Sequence, residues 1–240
     1  IRFIDKMYTI LPSGAMSPFN FARKNHTMKN LPPLLLAGAA KVDITDEKAG
    51  LANDPLYAKA LVLKSGETTA VLATVDAVAI AEIGSIQNSY LETVRSLLAD
   101  EPGIDPAHVI VNASHCHGRI CADVAERTVQ AVREAYEALV PVTAGVGIGH
   151  EDRISENRRM KLKNGREADV RHAYALPPDE EVASVGPIDP EIGILRLNRE
   201  TGETLAVVYN FAVHPILGVP SGKNTADITG FASLVIEDLA

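Results

Sequence analysis

His108-Val109-Ile110-Val111-Asn112-Ala113-Ser114-His115-Cys116-His117-Gly118 is the stretch on which the fold turns. Residues 108–113 are short, apolar and β-branched, the pattern of a buried strand. Beyond them Ala125, Val129, Val132, Tyr136 and Leu139 form an apolar stripe opposite Glu126, Arg127, Gln130, Arg133 and Glu137, the pattern of an amphipathic helix. Upstream, Glu82–Ala99 repeats at helical spacing through Ile83, Ile86, Tyr90 or Leu91, Val94 and Leu97 or Leu98. The β-rich run Thr69–Val75 precedes it. Strand, helix, strand, helix in that order implies a parallel crossover unit.

Further runs extend this unit. Ala37–Thr45 reads as a strand, and Leu56–Leu63 joins Thr69–Val75 in a hairpin through Lys64-Ser65-Gly66-Glu67. Val142–Gly149 is another strand, and Ile192–Leu197 with Leu205–Phe211 forms a second hairpin around residues 198–203. The final helix is Gly230–Leu239. The expected class is therefore α/β, a layered fold with mixed β-sheet flanked by helices. Residues 1–34 read as an irregular N-terminal extension and 35–240 as one α/β domain that continues beyond Ala240. Glu151–Pro190 is charged, contains proline and is weakly periodic, which marks it as a functional loop or flap.

Composition narrows the function. A net charge of −8 with scattered Lys and Arg offers no basic field for a phosphate backbone, so nucleic acid is excluded as a partner. No apolar run approaches the ~20 residues of a transmembrane helix. Two cysteines, Cys116 and Cys121, make neither a disulfide framework nor a paired C-x-x-C zinc signature, and the compartment is not assigned. No G-x-S-x-G elbow, Walker loop or dinucleotide fingerprint occurs.

The chemistry concentrates at strand ends. His115 and His117 flank one residue, and on extended backbone two such side chains point to one side and converge on a cation. A histidine pair at a strand end also has a plain structural reading, as solvated or core-satisfied side chains. His214 closes the apolar run Val207–Val213 and is followed by Pro215, which ends the ladder. Asp76 ends Ala70–Val75 in the same way. A carboxylate there is a metal ligand, a helix cap or the partner of a histidine ring nitrogen. Arg158, in Asn157-Arg158-Arg159, has the fork geometry that binds a carbonyl or carboxylate, although a loop arginine is ordinarily solvated. Asp227 reads first as the N-cap of the last helix and second as a group facing the site. Cys116 would point away from the histidines, as a small buried filler.

Five segments then occur in a diagnostic order: Leu36–Thr45, Asn112–His117, Asn157-Arg158, Asp189-Pro190-Glu191-Ile192-Gly193 and Asn210–Pro215. In this the chain resembles the N-terminal domain of the neutral/alkaline non-lysosomal ceramidases and their bacterial relatives, from about Leu36 onward. The resemblance implies a zinc-dependent amidohydrolase with His115 and His214 as metal ligands, further ligands from later sequence, His117 beside the metal and Arg158 on the substrate's polar head. Asp76 and Asp227 are candidate supporting residues. The family's His-Thr-His-Ser-Gly-Pro is His115-Cys116-His117-Gly118-Arg119-Ile120 here, so the turn after the histidines differs, and with it the acyl groove. The implied reaction is cleavage of an amide or ester in a small-molecule or lipid-like substrate by metal-activated water. Two other readings stand beside it: hydrolysis of a small non-lipid amide, ester or sugar derivative, and a non-catalytic ligand- or protein-binding domain that keeps the fold.

Overall fold

The computed structural model describes residues 34–50, 52–169, 176–216 and 224–240. All but Leu34 of the expected extension lies outside the described residues. The described chain forms two compact units, a larger one from 34–146, 195–208 and 213–240 and a smaller one from 147–194 and 209–212.

In the larger unit β1 (Leu35–Asp43), β2 (Tyr57–Ser65) and β3 (Thr68–Val75) make an antiparallel meander. The β2–β3 turn is closed by Gly66 at φ 57°, a left-handed position that glycine occupies without steric cost. Helix α1 (Tyr90–Asp100) crosses over to β4 (Val109–Ala113), which pairs parallel to β3 with Val71 opposite Val109 and Val75 opposite Ala113. Helix α2 (Val124–Glu137) follows and leads into β5 (Val140–His150), which pairs antiparallel to β1. After β6 (Arg159–Leu162), β7 (Glu167–Asp169) and β8 (Val182–Val185) come β9 (Glu191–Arg199), β10 (Thr204–Phe211) and helix α3 (Asp227–Leu239). The large sheet has the order β10-β9-β5-β1-β2-β3-β4 and the small one β7-β6-β8. Parallel and antiparallel pairs share the large sheet, as the α/β reading with mixed sheet expects.

Alternation along the strands sorts the core. Ala58, Ala60 and Val62 of β2 and Val71, Ala73 and Val75 of β3 face one side, where Val94 and Leu98 of α1 and Val129, Val132 and Ala135 of α2 cover them. Leu61 of β2, Ala37 of β1, Val142 of β5 and Leu197 of β9 form a second cluster. Residues two apart share a face, so β1, β2 and β3 feed both clusters. Helix α2 rides directly on β1: a Cβ on Gly38 would lie 1.9 Å from the Ala135 carbonyl oxygen. The two helices are joined by a buried bond in which the Tyr90 hydroxyl donates to Thr128 Oγ1 at 2.8 Å, because Thr128 already donates to Val124 O. Burial pushes the Tyr90 phenol up to about 12.

Two expectations need correction. The helix expected over Glu82–Ala99 begins only at Tyr90. Glu82 and Gly84 sit at φ 66° and 85°, and the Glu82 amide donates to Asn88 Oδ1 at 2.8 Å, so a bonded loop replaces the first two turns. Ile86 is nonetheless buried, which is why the apolar period runs on past the helix. Glu151–Pro190, expected as a functional loop or flap, is the second case: its described residues contain the three strands β6, β7 and β8. Asn164-Gly165 is the turn signal, with Gly165 at φ 84° and the Leu162 amide bonded to Arg166 O at 2.8 Å.

Candidate metal centre

Three strand ends bring the chemistry together. His115 lies two residues past β4, His214 three residues past β10, and Asp76 one residue past β3. One nitrogen from each of His115, His117 and His214 lies within 4.8 Å of the others. The ring centroids are 4.7 Å apart for His115 and His214, 5.6 Å for His115 and His117, and 5.5 Å for His117 and His214. This cluster could hold a metal ion.

The convergence arises differently from simple strand alternation. The strand stops at Ala113, and His115 adopts a left-handed backbone at φ 64°. That conformation is uncommon for a residue with a Cβ and costs of order 1 kcal/mol, so the surrounding contacts must hold it. One of them is a 2.6 Å bond from His115 Nδ1 to the Val78 carbonyl. A carbonyl only accepts, so Nδ1 carries the proton and Nε2 of the neutral ring keeps its lone pair for a ligand. His117 is more exposed than the other two, and its imidazole is held below the usual range. Partial burial is the larger cause and the neighbouring His115 the second, while the Asp227 carboxylate pulls the other way. A lowered value keeps the ring neutral, the form that binds metal. Cys116 between them is fully buried and its thiol is pushed up to about 11 by burial, which suits the filler role and no nucleophile.

The remaining candidates are placed as follows. Asp76 is fully buried; its Oδ2 accepts from the Tyr57 amide at 3.0 Å and from Lys59 Nζ at 2.8 Å. Its partner is thus a lysine, and the histidine nitrogen that a carboxylate might have taken is bonded to Val78. Asp227 is the first residue of α3 at φ 57°, with Ala226 in the N-cap position, so the preferred N-cap reading is off by one residue. Its Oδ1 accepts from the Ile228 amide at 2.6 Å, and the carboxylate lies near enough to His117 to act on its charge. Arg158 is exposed in the smaller unit immediately before β6. The neighbouring Asn157 side chain donates to Pro187 O at 2.6 Å and accepts from the Arg159 amide at 2.9 Å, which shapes that turn.

The sequence reading passed over the residues that clamp the turn after His117. Asn224 Oδ1 accepts from the Arg119 amide at 2.6 Å while Nδ2 donates to the Arg119 carbonyl at 2.9 Å, a side-chain imitation of a strand pair. Gly118 is needed beneath it: a Cβ there would lie 2.3 Å from Leu56 Cδ2 and 2.7 Å from the Thr225 carbonyl oxygen. Asp54, buried ahead of β2, accepts from the Thr225 hydroxyl and from the Ala226 amide. Its only sequence signal is a carboxylate in Asn53-Asp54-Pro55, which reads as an ordinary turn.

No protein-family model matches the chain, and no curated protein matches it. Solved structures do. One described as "Ceramidase complexed with C2" superposes with a TM-score of 0.63 at 20% identity, over 84% of this chain and 34% of that one. Neutral ceramidase from Pseudomonas aeruginosa gives a TM-score of 0.62 at 19% identity, over 85% of this chain and 36% of that one. The chain spans about a third of the length of these structures. No helix among the described residues is long and apolar enough to cross a membrane. The fold of this chain is that of a domain of the neutral ceramidases.

Proposed function

We propose that the chain carries the metal-binding part of a zinc-dependent hydrolase that cleaves an amide or ester bond, with His115 and His214 as ligands. The observation that carries this reading is the convergence of three histidine nitrogens with the His115 tautomer set by Val78. His117 gives the set a third nitrogen, the number of protein ligands that catalytic zinc normally uses. Bound zinc supplies two things, a polarised carbonyl and a water whose pKa falls from ~15.7 towards ~7.

The chain's own residues orient and exclude. Val78 fixes the ring of His115, and the clamp on Arg119 fixes the turn that carries His117. Arg158, by its place in the Asn157-Arg158 motif, contacts the substrate's polar head. The substrate class follows the fold likeness: an N-acyl amide such as a short-chain ceramide, with small non-lipid amides and esters as the competing class.

The test is zinc content followed by turnover in the protein as it exists. About one zinc per chain, lost on His115→Ala and on His214→Ala, together with release of fatty acid from a short-chain ceramide, supports the reading. Zinc without hydrolysis of any amide or ester would make this a binding domain. Absence of metal in freshly purified protein would overturn the proposal.

A further inference from the structure

Beyond the three histidines, Asp54 is a buried carboxylate with no ionic partner among the described residues. Asp54 is 5% exposed, and Thr225 and Asp227 are as deeply buried at 5% and 3%. A buried carboxylate costs free energy unless its oxygens are satisfied. Here both are satisfied, by the Thr225 hydroxyl on Oδ1 and by the Ala226 amide at 2.7 Å on Oδ2.

The direction of every bond in this group is forced. An ionised carboxylate only accepts, so Thr225 must donate to Asp54. The Thr225 oxygen is then left to accept, and it takes the Asp227 amide at 2.9 Å. That bond holds Asp227 in its left-handed conformation at φ 57°. The first turn of α3 sits against the same carboxylate: a Cβ on Gly230 would lie 3.2 Å from Asp54 Oδ2 and 2.4 Å from Ala226 Cβ. The corner also bears on the histidine segment, since the Thr225 carbonyl packs on Gly118 and Asn224 pairs both backbone groups of Arg119.

We propose that Asp54 is a positioning residue of the histidine cluster, which through Thr225 and Ala226 fixes the 224–227 corner that packs on Gly118 and clamps Arg119, the turn directly after His117. The inference rests on the reading of the three histidines as a metal site and assigns a supporting carboxylate to the turn that follows His117. The Val78 carbonyl bonds the His115 ring, while the 224–227 corner packs on the backbone that follows His117. Asp54 touches neither ring, so its effect on the site passes entirely through Thr225 and Ala226.

Three variants separate this role from plain structure. Thr225→Val removes the hydroxyl at equal volume, Thr225→Ser keeps it, and Asp54→Asn turns an acceptor facing the Ala226 amide or the Thr225 hydroxyl into a donor. Two readouts are taken on the whole protein: long-range ¹H–¹⁵N spectra of the histidine rings without metal, and Co²⁺ titration followed by its visible absorption. In Thr225→Val and Asp54→Asn the His117 ring resonances move while the cooperative fold is kept, and Co²⁺ affinity falls about 10–100-fold. Thr225→Ser behaves as wild type in both. Unmoved His117 resonances in Thr225→Val and Asp54→Asn overturn the proposal, whatever the metal result. Failure of the wild type to bind Co²⁺ or Zn²⁺ overturns the metal reading instead, and the ring spectra still decide the positioning role.

Discussion

His115 Nδ1 donates to the Val78 carbonyl across 2.6 Å, and this one bond leaves Nε2 as the ring nitrogen open to an ion. Val78 lies in the loop after β3, while His115 follows β4, so the parallel pairing of those strands brings the carbonyl to the ring. Orientation of this kind is worth about 10–100-fold in metal affinity, and loss of a ligand costs more. His115→Ala and His214→Ala are each expected to lower Zn²⁺ affinity by more than about 100-fold, against a smaller loss for His117→Ala, whose ring is the most exposed of the three. Competition against a chromophoric chelator measures all three. Equal affinities across the series would remove the ligand assignment.

Gly118→Ala tests the turn after the histidines. Its new methyl meets the Thr225 carbonyl oxygen at 2.7 Å, backbone that cannot step aside cheaply, and Leu56 Cδ2 at 2.3 Å, which can rotate. Overpacking of this size costs about 1–3 kcal/mol. Gly193→Ala is the control, because a Cβ there meets nothing within 4 Å. Thermal unfolding should show Gly118→Ala well below wild type and Gly193→Ala close to it. The two variants melting together would mean that the Thr225 corner yields freely.

The order of the fold and the parts of the site were not equally legible. Apolar, β-rich runs gave β1, β2, β3 and β4 to within a few residues; β1, β2 and β3 have one face in each core cluster, while β4 buries Val109 and Val111 and leaves Ile110 exposed. The start of α1 was hidden: Ile83 and Ile86 keep helical spacing, yet Gly84 at φ 85° breaks the helix, and periodicity carries no φ. Strands β6 and β7 were hidden by charge, since Lys161, Lys163, Arg166 and Glu167 mask the Asn164-Gly165 turn between them. At the site, strand ends named the three histidines that converge. Asp54 was invisible because its importance lies in bonds to residues some 170 positions away, which no local pattern encodes.

Lys59→Met isolates the buried ion pair behind the site. The Asp76 carboxylate is fully buried, its Oδ1 has no hydrogen-bond partner, and Lys59 is its only cation among the described residues. Removing the lysine leaves a buried charge uncompensated, a loss of about 3 kcal/mol. The double variant Lys59→Met/Asp76→Asn removes both charges while the Asn oxygen still accepts from the Tyr57 amide, and most of the stability returns. Urea unfolding midpoints give the comparison. A single variant no less stable than the double would show that the pair contributes nothing.

Arg153→Gln reports on a carboxylate in the smaller unit. The Glu151 carboxyl is held below its ordinary 4.5 chiefly by hydrogen bonds from Arg153, whose Nε and amide both reach Oε1 at 2.8 Å while its second guanidinium nitrogen takes Oε2. A depressed folded-state value means that the folded form binds fewer protons than the unfolded one near pH 4.5. Its stabilisation is therefore full above that pH and is lost as pH falls through the lower folded value. Because Arg153 is more than half exposed, solvent screens the pair and the effect is small. The expected result is a wild type that melts above Arg153→Gln from pH 7 down to about pH 5, with the two curves converging as the pH is lowered further. A gap that stayed constant down to pH 3 would assign the difference to packing of the arginine rather than to the charge on Glu151.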